Sequence, residues 1–280
     1  HYTWKKFLVK RNLIAKTLLS MHDRYGDFPV LAAFADVENR MVLRQLVEQT
    51  PLAKLGYGII HRDSPDSRGI DVALIYRKEL FEILEVNVHE VLTGRERPTR
   101  DILYVAGVLA GTWDTIHIFV NHWPSKFGGD EYSRPFRQAA SDTLRRAVLG
   151  LRDSLSGELP AVVVTGAFND IPDAPPVLSL TSGTGLVNLA MSLHRRGEGT
   201  LKYNGKWDLT DIFWLSPPAG GAVLKIYSNL LLFGKDTTSL GAKLPRPSIV
   251  PMWPAVPRTP PPSSLLLPSA PPPPDCTTQP

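Results

Sequence analysis

The chain has 280 residues, of which 43% are hydrophobic, so it is long enough for one large α/β domain or two small ones. Its net charge of +4 mildly favours a polyanionic partner, although Lys and Arg are dispersed and form no dense basic run. The single Cys276 excludes an intrachain disulfide and a cysteine metal site. No run of about 18 apolar residues occurs, which argues against a membrane-spanning helix.

In the first half of the chain, the spacing of apolar residues predicts helices and strands in alternation. Trp4 to Met21 has apolar residues at helical spacing with Lys and Arg between them, which predicts an amphipathic helix that covers a sheet. A second helix is predicted over Asn39 to Gln49, with Glu38 supplying a negative charge to its first turn. Short apolar and β-branched runs predict strands over Val30–Ala35, Tyr57–Arg62, Ile70–Tyr76, Phe81–Val88, Asp101–Leu109 and Trp113–Asn121.

In the second half, a long amphipathic helix is predicted over Ser133 to Leu155. The apolar run Ala161 to Thr165 lies between Pro160 and Gly166 and predicts a buried strand. The remaining predicted strands are Lys202–Trp207 and Leu209–Leu215, placed around an Asn204-Gly205 hairpin signal, and Ala222–Tyr227.

Polar segments lie at the ends of several predicted strands, where a sheet can hold side chains rigidly. The buried strand Ala161–Thr165 is followed by Gly166-Ala167-Phe168-Asn169-Asp170, which by itself is more typical of a turn than of a site. By itself His122 is likewise more typical of a packing residue than of a catalyst. The other polar segments are Asp36-Val37-Glu38-Asn39, Arg68-Gly69-Ile70-Asp71, Asn121-His122-Trp123-Pro124-Ser125 and Lys206-Trp207-Asp208-Leu209-Thr210-Asp211.

In this order and spacing, the segments resemble the endonuclease/exonuclease/phosphatase family, which are deoxyribonuclease-like, metal-dependent phosphodiesterases. They are most similar to a bacterial branch whose members carry EVEN, RGIDVALLYR, VNHWPSR, GDFND, a KWSLLDQI-like strand and a terminal SDHLP. The resemblance implies a two-sheet, four-layer α/β sandwich with mixed, mostly antiparallel sheets and flanking helices. It also implies that activated water hydrolyses a phosphate ester with the help of a divalent cation, Mg²⁺ or Mn²⁺.

The resemblance assigns roles to residues at matching positions. It implies His122, Asn169 and Asp211 as catalytic residues, Arg68, Asn121 and Ser125 as phosphate-binding residues, and Asp36 as a metal ligand. An imidazole near its unperturbed pKa suits the departure of a leaving oxygen, and a guanidinium fork suits a phosphate oxygen. Because each follows or precedes a predicted central strand, Asp36, Arg68, His122 and Asn169 are expected to meet at one edge of the sheets.

The sequence departs from the family pattern in four places. Asp36 replaces a glutamate and is one methylene shorter, which weakens coordination of Mg²⁺ at about 2.0–2.1 Å. Ala167 replaces the aspartate that orients or deprotonates the attacking water. The family's first strand, which holds an asparagine, and its terminal Asp-His pair have no counterpart.

These departures predict an impaired hydrolase with weakened cation binding. The alternative is a catalytically dead descendant that binds a phosphorylated ligand or a protein. Candidate substrates include nucleic acid, phosphorylated lipids and sugar phosphates, and neither the oligomeric state nor the compartment can be inferred.

The composition changes after Lys243. Leu244 to Pro280 is dominated by proline and shows neither helix nor strand periodicity. We therefore predict one domain over residues 1–243, incomplete at both ends, and a disordered proline-rich tail over residues 244–280. A shifted reading frame is the other interpretation of the tail, and the coding DNA after codon 243 would decide between the two.

Overall fold

The computed structural model describes residues 3–94, 98–112, 114–155, 157, 159–203, 205–217, 222–228, 233–235 and 243–245. The α-helices within these residues are α1 Trp4–Tyr25, α2 Arg40–Glu48, α3 Asp130–Ser154, α4 Pro175–Thr181 and α5 Met191–Arg195. The strands are β1 Leu31–Val37, β2 Tyr57–His61, β3 Asp71–Arg77, β4 Phe81–His89, β5 Ile102–Leu109, β6 Thr115–His122, β7 Ala161–Ala167, β8 Val187–Asn188, β9 Leu201–Tyr203, β10 Lys206–Asp208, β11 Asp211–Leu215, β12 Phe233–Lys235 and β13 Lys243–Pro245. None of the described helices is long and apolar enough to cross a membrane.

Local capping fixes the ends of the first two helices. The Thr3 side chain accepts a hydrogen bond from the backbone of Lys6 at the start of α1, which ends at Gly26 in the left-handed conformation. The Asn39 side chain accepts from the backbone of Val42 and caps α2. Glu38 therefore lies before the cap, and its predicted place in the first turn of the helix is wrong.

The smaller sheet has the strand order β1-β3-β2 and is antiparallel throughout. The register of β1 against β3 shifts between Phe34 and Val37, so this part of β1 forms a bulge. Asp36 lies in the bulge with a φ of 55°, a left-handed conformation that aspartate tolerates better than most residues. The bulge turns the Asp36 side chain outward, and 66% of that side chain is exposed.

The larger sheet has the order β4-β5-β6-β7-β11-β8. Its central strands β6 and β7 pair in parallel, with His122 opposite Ala167, whereas the other neighbours are antiparallel. Helix α3 forms the crossover that a parallel pair requires. On the other side of β7, Asp211 is the register partner of Ala167.

Three layers of apolar side chains hold the sheets and helices together. Ile60, Leu74, Val105, Ile118 and Val120 belong to the core between the two sheets. Residues of α1 and α2 pack on the outer face of the smaller sheet, and residues of α3, α4 and α5 pack on the outer face of the larger sheet. This arrangement confirms the predicted four-layer α/β sandwich with flanking helices.

In the C-terminal part, the predicted strand Lys202–Trp207 is divided into two strands at the predicted hairpin turn, and the predicted strand Ala222–Tyr227 is wrong. β9 and β10 form a hairpin with each other, whereas β11 pairs with β7 and β8, so the hairpin does not join Lys202–Trp207 to Leu209–Leu215. Ala222–Tyr227 belongs to no strand; side chains such as Leu224 and Ile226 instead pack on the core beneath α3.

The predicted division of the chain at 243/244 falls inside a described strand pair. Leu244 pairs with Gly234 where β13 meets β12. Residues 246–280 of the predicted tail lie outside the described residues, as do Trp113 and the Arg95–Arg97 part of a polar loop.

The packing of Gly166 gives a testable prediction. Gly166 has a φ of +136°, and a Cβ atom there would lie 2.0 Å from the Asn121 carbonyl oxygen. We expect Gly166→Ala to lower the free energy of unfolding by about 2–4 kcal/mol, because either backbone must move. Gly150→Ala is the matched control: its Cβ would meet nothing within 4 Å, and in helix α3 it should stabilise by about 0.5–1 kcal/mol. Urea titrations of both variants measure the difference, and equal stability would contradict the close approach.

Candidate functional site

The carboxyl ends of β6 and β7 form the centre of the candidate site. Because these strands are parallel, the residues that follow them emerge at the same edge of the sheet. The backbone N–H of Trp123 donates to the Ala167 carbonyl at 2.8 Å, and the Asn169 amide donates to the Trp123 carbonyl at 2.7 Å. Asn169 has a φ of 51°, a conformation that asparagine tolerates, and it is partly buried. The two loops are therefore tied to each other.

Asp36 approaches this edge from the smaller sheet. Its carboxylate lies 3.7 Å from Nδ1 of His122, an atom that is buried and has no hydrogen-bond partner among the described residues. Burial lowers the pKa of His122 well below its usual value, and the positive charges of Arg100 and Arg68 lower it further. The prediction of an imidazole near its unperturbed pKa is therefore wrong. At neutral pH His122 is uncharged, so it can donate or accept a hydrogen bond but holds no additional proton.

The loop between β2 and β3 brings Arg68 to the site. Arg68 binds the Asp66 carboxylate through Nε at 3.0 Å and Nη2 at 2.8 Å, while 56% of its side chain stays exposed. Burial acts to raise the pKa of Asp66, but the hydrogen bonds from Arg68 and Arg100 hold it well below its usual range. Asp66 therefore stays ionised and fixes the direction of the Arg68 guanidinium.

Arg100 is a residue of the candidate site that the sequence pattern did not indicate. It is 3% exposed and donates to the Asp66 carboxylate at 2.9 Å, to the His122 carbonyl at 3.0 Å and to the Trp123 carbonyl. These contacts join the loop of the smaller sheet to the loop after β6. The sequence signal was a charged Arg100-Asp101 pair directly before an apolar strand, which does not reveal the distant carbonyl groups that Arg100 binds.

Asn121 does not face the site. It is fully buried; its amide nitrogen donates to the Phe119 and Thr165 carbonyls, and its amide oxygen accepts from the Trp123 indole at 3.1 Å. These bonds leave no free N–H for a phosphate, so the phosphate-binding role predicted for Asn121 does not fit its surroundings. The residue instead positions Trp123. Ser125, the other residue of this segment predicted to bind phosphate, is exposed.

Asp170 is the carboxylate nearest in sequence to Ala167, and it is fully engaged in ion pairs. Its two oxygens lie 2.8 Å from Lys126 Nζ and 2.8 Å from Arg137 Nε, and the residue is 3% exposed. Arg137 is itself completely buried and needs this partner. Asp170 therefore anchors α3 to the loop after β7, and its ion pairs disfavour a role in place of the missing aspartate.

Asp211 lies on the strand beside Ala167 and lines a small cavity of about 40 Å³ with Thr165, Gly166 and Tyr227. Burial raises the pKa of Asp211 to about 7, and the negative charge of Asp36 adds to this effect. This carboxyl therefore holds its proton to a higher pH than an exposed aspartate does. Among the described residues no histidine lines the cavity, so the predicted support of a terminal histidine has no partner there.

A second group of ligand-type residues lies at the base of the β2–β3 loop. One ligand atom each of His61, Asp63 and Asp71 lies within 4.8 Å of the others, so the group could hold a cation. His61 Nε2 is 3.0 Å from Asp71, however, and the other Asp71 oxygen accepts from the backbone and hydroxyl of Ser64. These bonds close the loop that carries Arg68, while His61 Nδ1, 3.9 Å from Asp63, takes no part in them.

The chain matches the model of the endonuclease/exonuclease/phosphatase family over residues 1–227. It belongs to that family. No curated protein sequence matches the chain. The family match spans every residue of the candidate site described above, so the resemblance noted in the sequence is confirmed.

Solved structures of the family share the fold at low sequence identity. The human Nocturnin catalytic domain with a bound sulfate anion has a TM-score of 0.57 at 17% identity, over 77% of this chain and 76% of that one. Truncated TDP2 of Caenorhabditis elegans has a TM-score of 0.57 at 14% identity, over 80% of this chain and 83% of that one. A mannosyl-6-phosphatase of Bacteroides thetaiotaomicron has a TM-score of 0.54 at 15% identity, over 87% of this chain and 88% of that one.

The family implies a divalent cation, and the residues at Asp36 fit one poorly. Mg²⁺ requires several oxygen ligands in near-octahedral geometry. Asp36 offers a carboxylate, but Asp170 is engaged with two cationic side chains and Asp211 has a raised pKa. Within the described part of the chain, Asp36 belongs to no group of three His, Cys, Asp or Glu residues with ligand atoms lying within 4.8 Å of one another.

The raised pKa of Asp211 gives a testable prediction. A group whose pKa is raised on folding contributes stability at low pH, and that contribution is lost as the pH rises through the folded-state pKa. The native chain should therefore lose stability between pH 4 and pH 8, relative to Asp211→Asn, by up to about 4 kcal/mol. Chemical denaturation at several pH values measures this difference. Asp153→Asn, at a side chain that is 69% exposed and paired with Arg152, is the control and should give a constant difference. A constant difference for Asp211→Asn would refute the burial effect.

Proposed function

We propose that the chain binds phosphate esters at the edge formed by Asp36, Arg68, His122 and Asn169, and hydrolyses them at a strongly reduced rate. The observation that carries this proposal is the convergence of these groups. Arg68 has an exposed guanidinium whose Nη1 has no hydrogen bond among the described residues, and the partner Asp66 fixes its direction. A guanidinium held in this way suits a phosphoryl oxygen.

The neighbouring polar groups favour the same ligand. The Asn169 amide uses one N–H on the Trp123 carbonyl and has a second N–H to donate. His122 is neutral and can donate a hydrogen bond without attracting a second negative charge. Such donors stabilise charge that develops on a phosphoryl oxygen during hydrolysis. The family relationship, the sulfate anion of the Nocturnin structure and the named activity of the Bacteroides phosphatase support this interpretation.

The low rate follows from the lack of a carboxylate at position 167 that could activate water. Ala167 has a methyl group where the family has a carboxylate, and the Asp170 carboxylate is held by Lys126 and Arg137. A cation ligated by Asp36, Mg²⁺ or Mn²⁺, would polarise the phosphoryl group, and we propose that its binding is weak because few oxygen ligands surround it. Binding of the ester and its hydrolysis are therefore separable in this chain.

The alternative is a catalytically dead descendant that acts as a phosphorylated-ligand or protein-binding module. The ion pairs of Asp170 favour it, since they remove the nearest substitute for the missing carboxylate. The two functions differ in one measurement: the impaired enzyme retains cation-dependent turnover above background, whereas the binding module has none.

The binding half of the proposal is tested with inorganic phosphate. Arg68→Gln should weaken phosphate binding by about tenfold or more, because a charge-assisted hydrogen bond to an anion contributes about 1.5–3 kcal/mol. Arg44→Gln, on the surface of α2 with a side chain 61% exposed, is the matched control. Isothermal titration calorimetry measures both. Equal affinities for the native chain and Arg68→Gln would place the phosphate elsewhere.

The catalytic half is tested with plasmid DNA, a generic phosphodiester and a generic phosphomonoester in the presence of Mg²⁺ or Mn²⁺. Acid–base assistance contributes about 10²–10⁴-fold to a rate, so turnover by the native chain should be barely above background. Ala167→Asp alone should not restore it, because the parts of a catalytic unit act together. Restoration should also require Asp36→Glu and a grafted terminal strand that ends in an Asp-His pair.

Vigorous cation-dependent cleavage by the unmodified chain would contradict the proposed impairment. If cleavage is detectable, Asp170→Asn distinguishes the possibilities. A loss of activity without loss of stability would reveal that Asp170 takes part in catalysis despite its ion pairs.

A further inference from the structure

A group of metal-ligand side chains, which we call the loop-base cluster, lies where β2 ends and β3 begins. It consists of His61, Asp63 and Asp71. Two residues from His61 and Asp71 along their strands, Ile59 and Ala73 pack with Leu43 of α2. Because alternate residues of a strand share a face, His61 and Asp71 lie on the α2 side of the smaller sheet. Asp36 instead approaches His122 of the larger sheet, so the cluster is separate from the proposed phosphate contacts.

The hydrogen bonds of Asp71 determine which nitrogen of His61 is free. His61 Nε2 lies 3.0 Å from one Asp71 oxygen, and the other oxygen accepts from the backbone N–H of Ser64 at 2.9 Å and from its hydroxyl at 2.7 Å. A carboxylate only accepts hydrogen bonds, so Nε2 carries the proton of the neutral ring and Nδ1 carries the lone pair. Metal-binding histidines are held in the same way, with the second N–H donated to a carboxylate that orients the ring.

The free nitrogen of His61 faces a second carboxylate. Its Nδ1 lies 3.9 Å from Oδ1 of Asp63, which is too far for a hydrogen bond. The buried, unpaired polar atoms of the described residues include Nδ1 of His122 but not Nδ1 of His61, so the His61 atom can be reached from solvent. The Asp63 side chain is 91% exposed and can turn toward the ring. Two acceptor atoms thus face each other, and a cation between them would satisfy both.

The spacing and the types of the two ligand atoms suit zinc. Zn²⁺ binds imidazole nitrogen at about 2.0–2.1 Å and carboxylate oxygen at about 2.0–2.2 Å, so two tetrahedral ligands lie about 3.4 Å apart. The observed gap of 3.9 Å closes if the exposed Asp63 carboxylate moves by about 0.5 Å. A nitrogen ligand favours Zn²⁺ over Mg²⁺ and Ca²⁺, which prefer oxygen ligands throughout. Both Asp71 oxygens are engaged, so water would complete the coordination.

We propose that the loop-base cluster is a zinc site, with His61 Nδ1 and the Asp63 carboxylate as ligands. Asp71 is the positioning residue that orients the ring. The site differs from the cation position at Asp36 in its ligands and in its place in the fold, and it does not depend on the proposed function. Its role is structural: a bound cation ties the loop that carries Arg68 to the end of β2.

Titration calorimetry with Zn²⁺ on the full chain tests the site, at a mildly alkaline pH because protons compete for imidazole. Loss of a group that only orients a ligand costs about 10–100-fold in metal affinity, so Asp63→Asn, which removes a ligand, should weaken zinc binding by about tenfold or more. Because Asp63 is exposed, this variant should keep the native fold.

Asp173→Asn is the matched control for the zinc titration. Asp173 lies 3.1 Å from His194, and within the described part of the chain this pair belongs to no group of three ligand residues. Zinc affinity should therefore stay unchanged in this variant.

Thermal unfolding measures the structural role. Zn²⁺ at a concentration about 100-fold above its Kd should raise the Tm of the native chain by about 5 °C or more. At the same zinc concentration Asp63→Asn should show a smaller rise, because less of it is bound.

Three results would overturn the inference. Equal zinc affinities of the native chain and Asp63→Asn would mean that the cluster only closes the loop through hydrogen bonds. A loss of zinc binding in Asp36→Asn, with none in Asp63→Asn, would place the cation at the candidate phosphate site. Equal affinities for Mg²⁺ and Zn²⁺ would show that the imidazole is not a ligand. Phosphate binding at Arg68 is measured without zinc, so the proposed function is tested separately.

Discussion

The parallel pairing of β6 and β7 is the constraint on which the site depends. Parallel strands end at the same edge of a sheet, so the segments after His122 and Ala167 must emerge together. The hydrogen bond from the Trp123 backbone N–H to the Ala167 carbonyl continues the pattern of backbone hydrogen bonds beyond the strands. The hydrogen bond from the Asn169 side-chain amide to the Trp123 carbonyl ties the next residues together. The close approach of Gly166 to the Asn121 backbone leaves no room for a Cβ atom. The sheet thus holds the site loops with the rigidity of its central strands.

Arg100 connects these loops of the larger sheet to a loop of the smaller sheet. A buried guanidinium is stable only if its donors and charge are satisfied, and here one carboxylate and two carbonyls satisfy them. The same carboxylate, on Asp66, orients the exposed Arg68. The charge network therefore links a loop of each sheet and sets the distance between Arg68 and His122, and it also lowers the pKa of that histidine.

Binding and chemistry make different demands on the site. Holding a phosphoryl group needs donors in fixed positions, which the backbone ladder and the Asp66–Arg100 pair provide. Activating water needs a carboxylate that is free, ionised and close to the nucleophile. In this chain Asp170 is ion-paired and Asp211 has a raised pKa, while the exposed Asp36 is the proposed ligand of the cation. The groups that would hold a phosphoryl group are therefore better preserved, relative to the family pattern, than the groups that would activate water.

The sequence determined the three longest described helices, most of the strands, the sandwich and the segments that meet at the site, because these follow from local periodicity and from contiguous motifs; it did not indicate the short helices α4 and α5. It also identified Ala167, since a methyl group has the same chemistry in any surroundings. Only the tertiary structure decided which polar groups are free. Asn121 turns inward, Asp170 meets Arg137, His122 is buried beside two guanidinium groups, and Arg100 binds carbonyls more than twenty residues away. Solvation and partner choice are set by residues distant in the chain, so no local pattern specifies them.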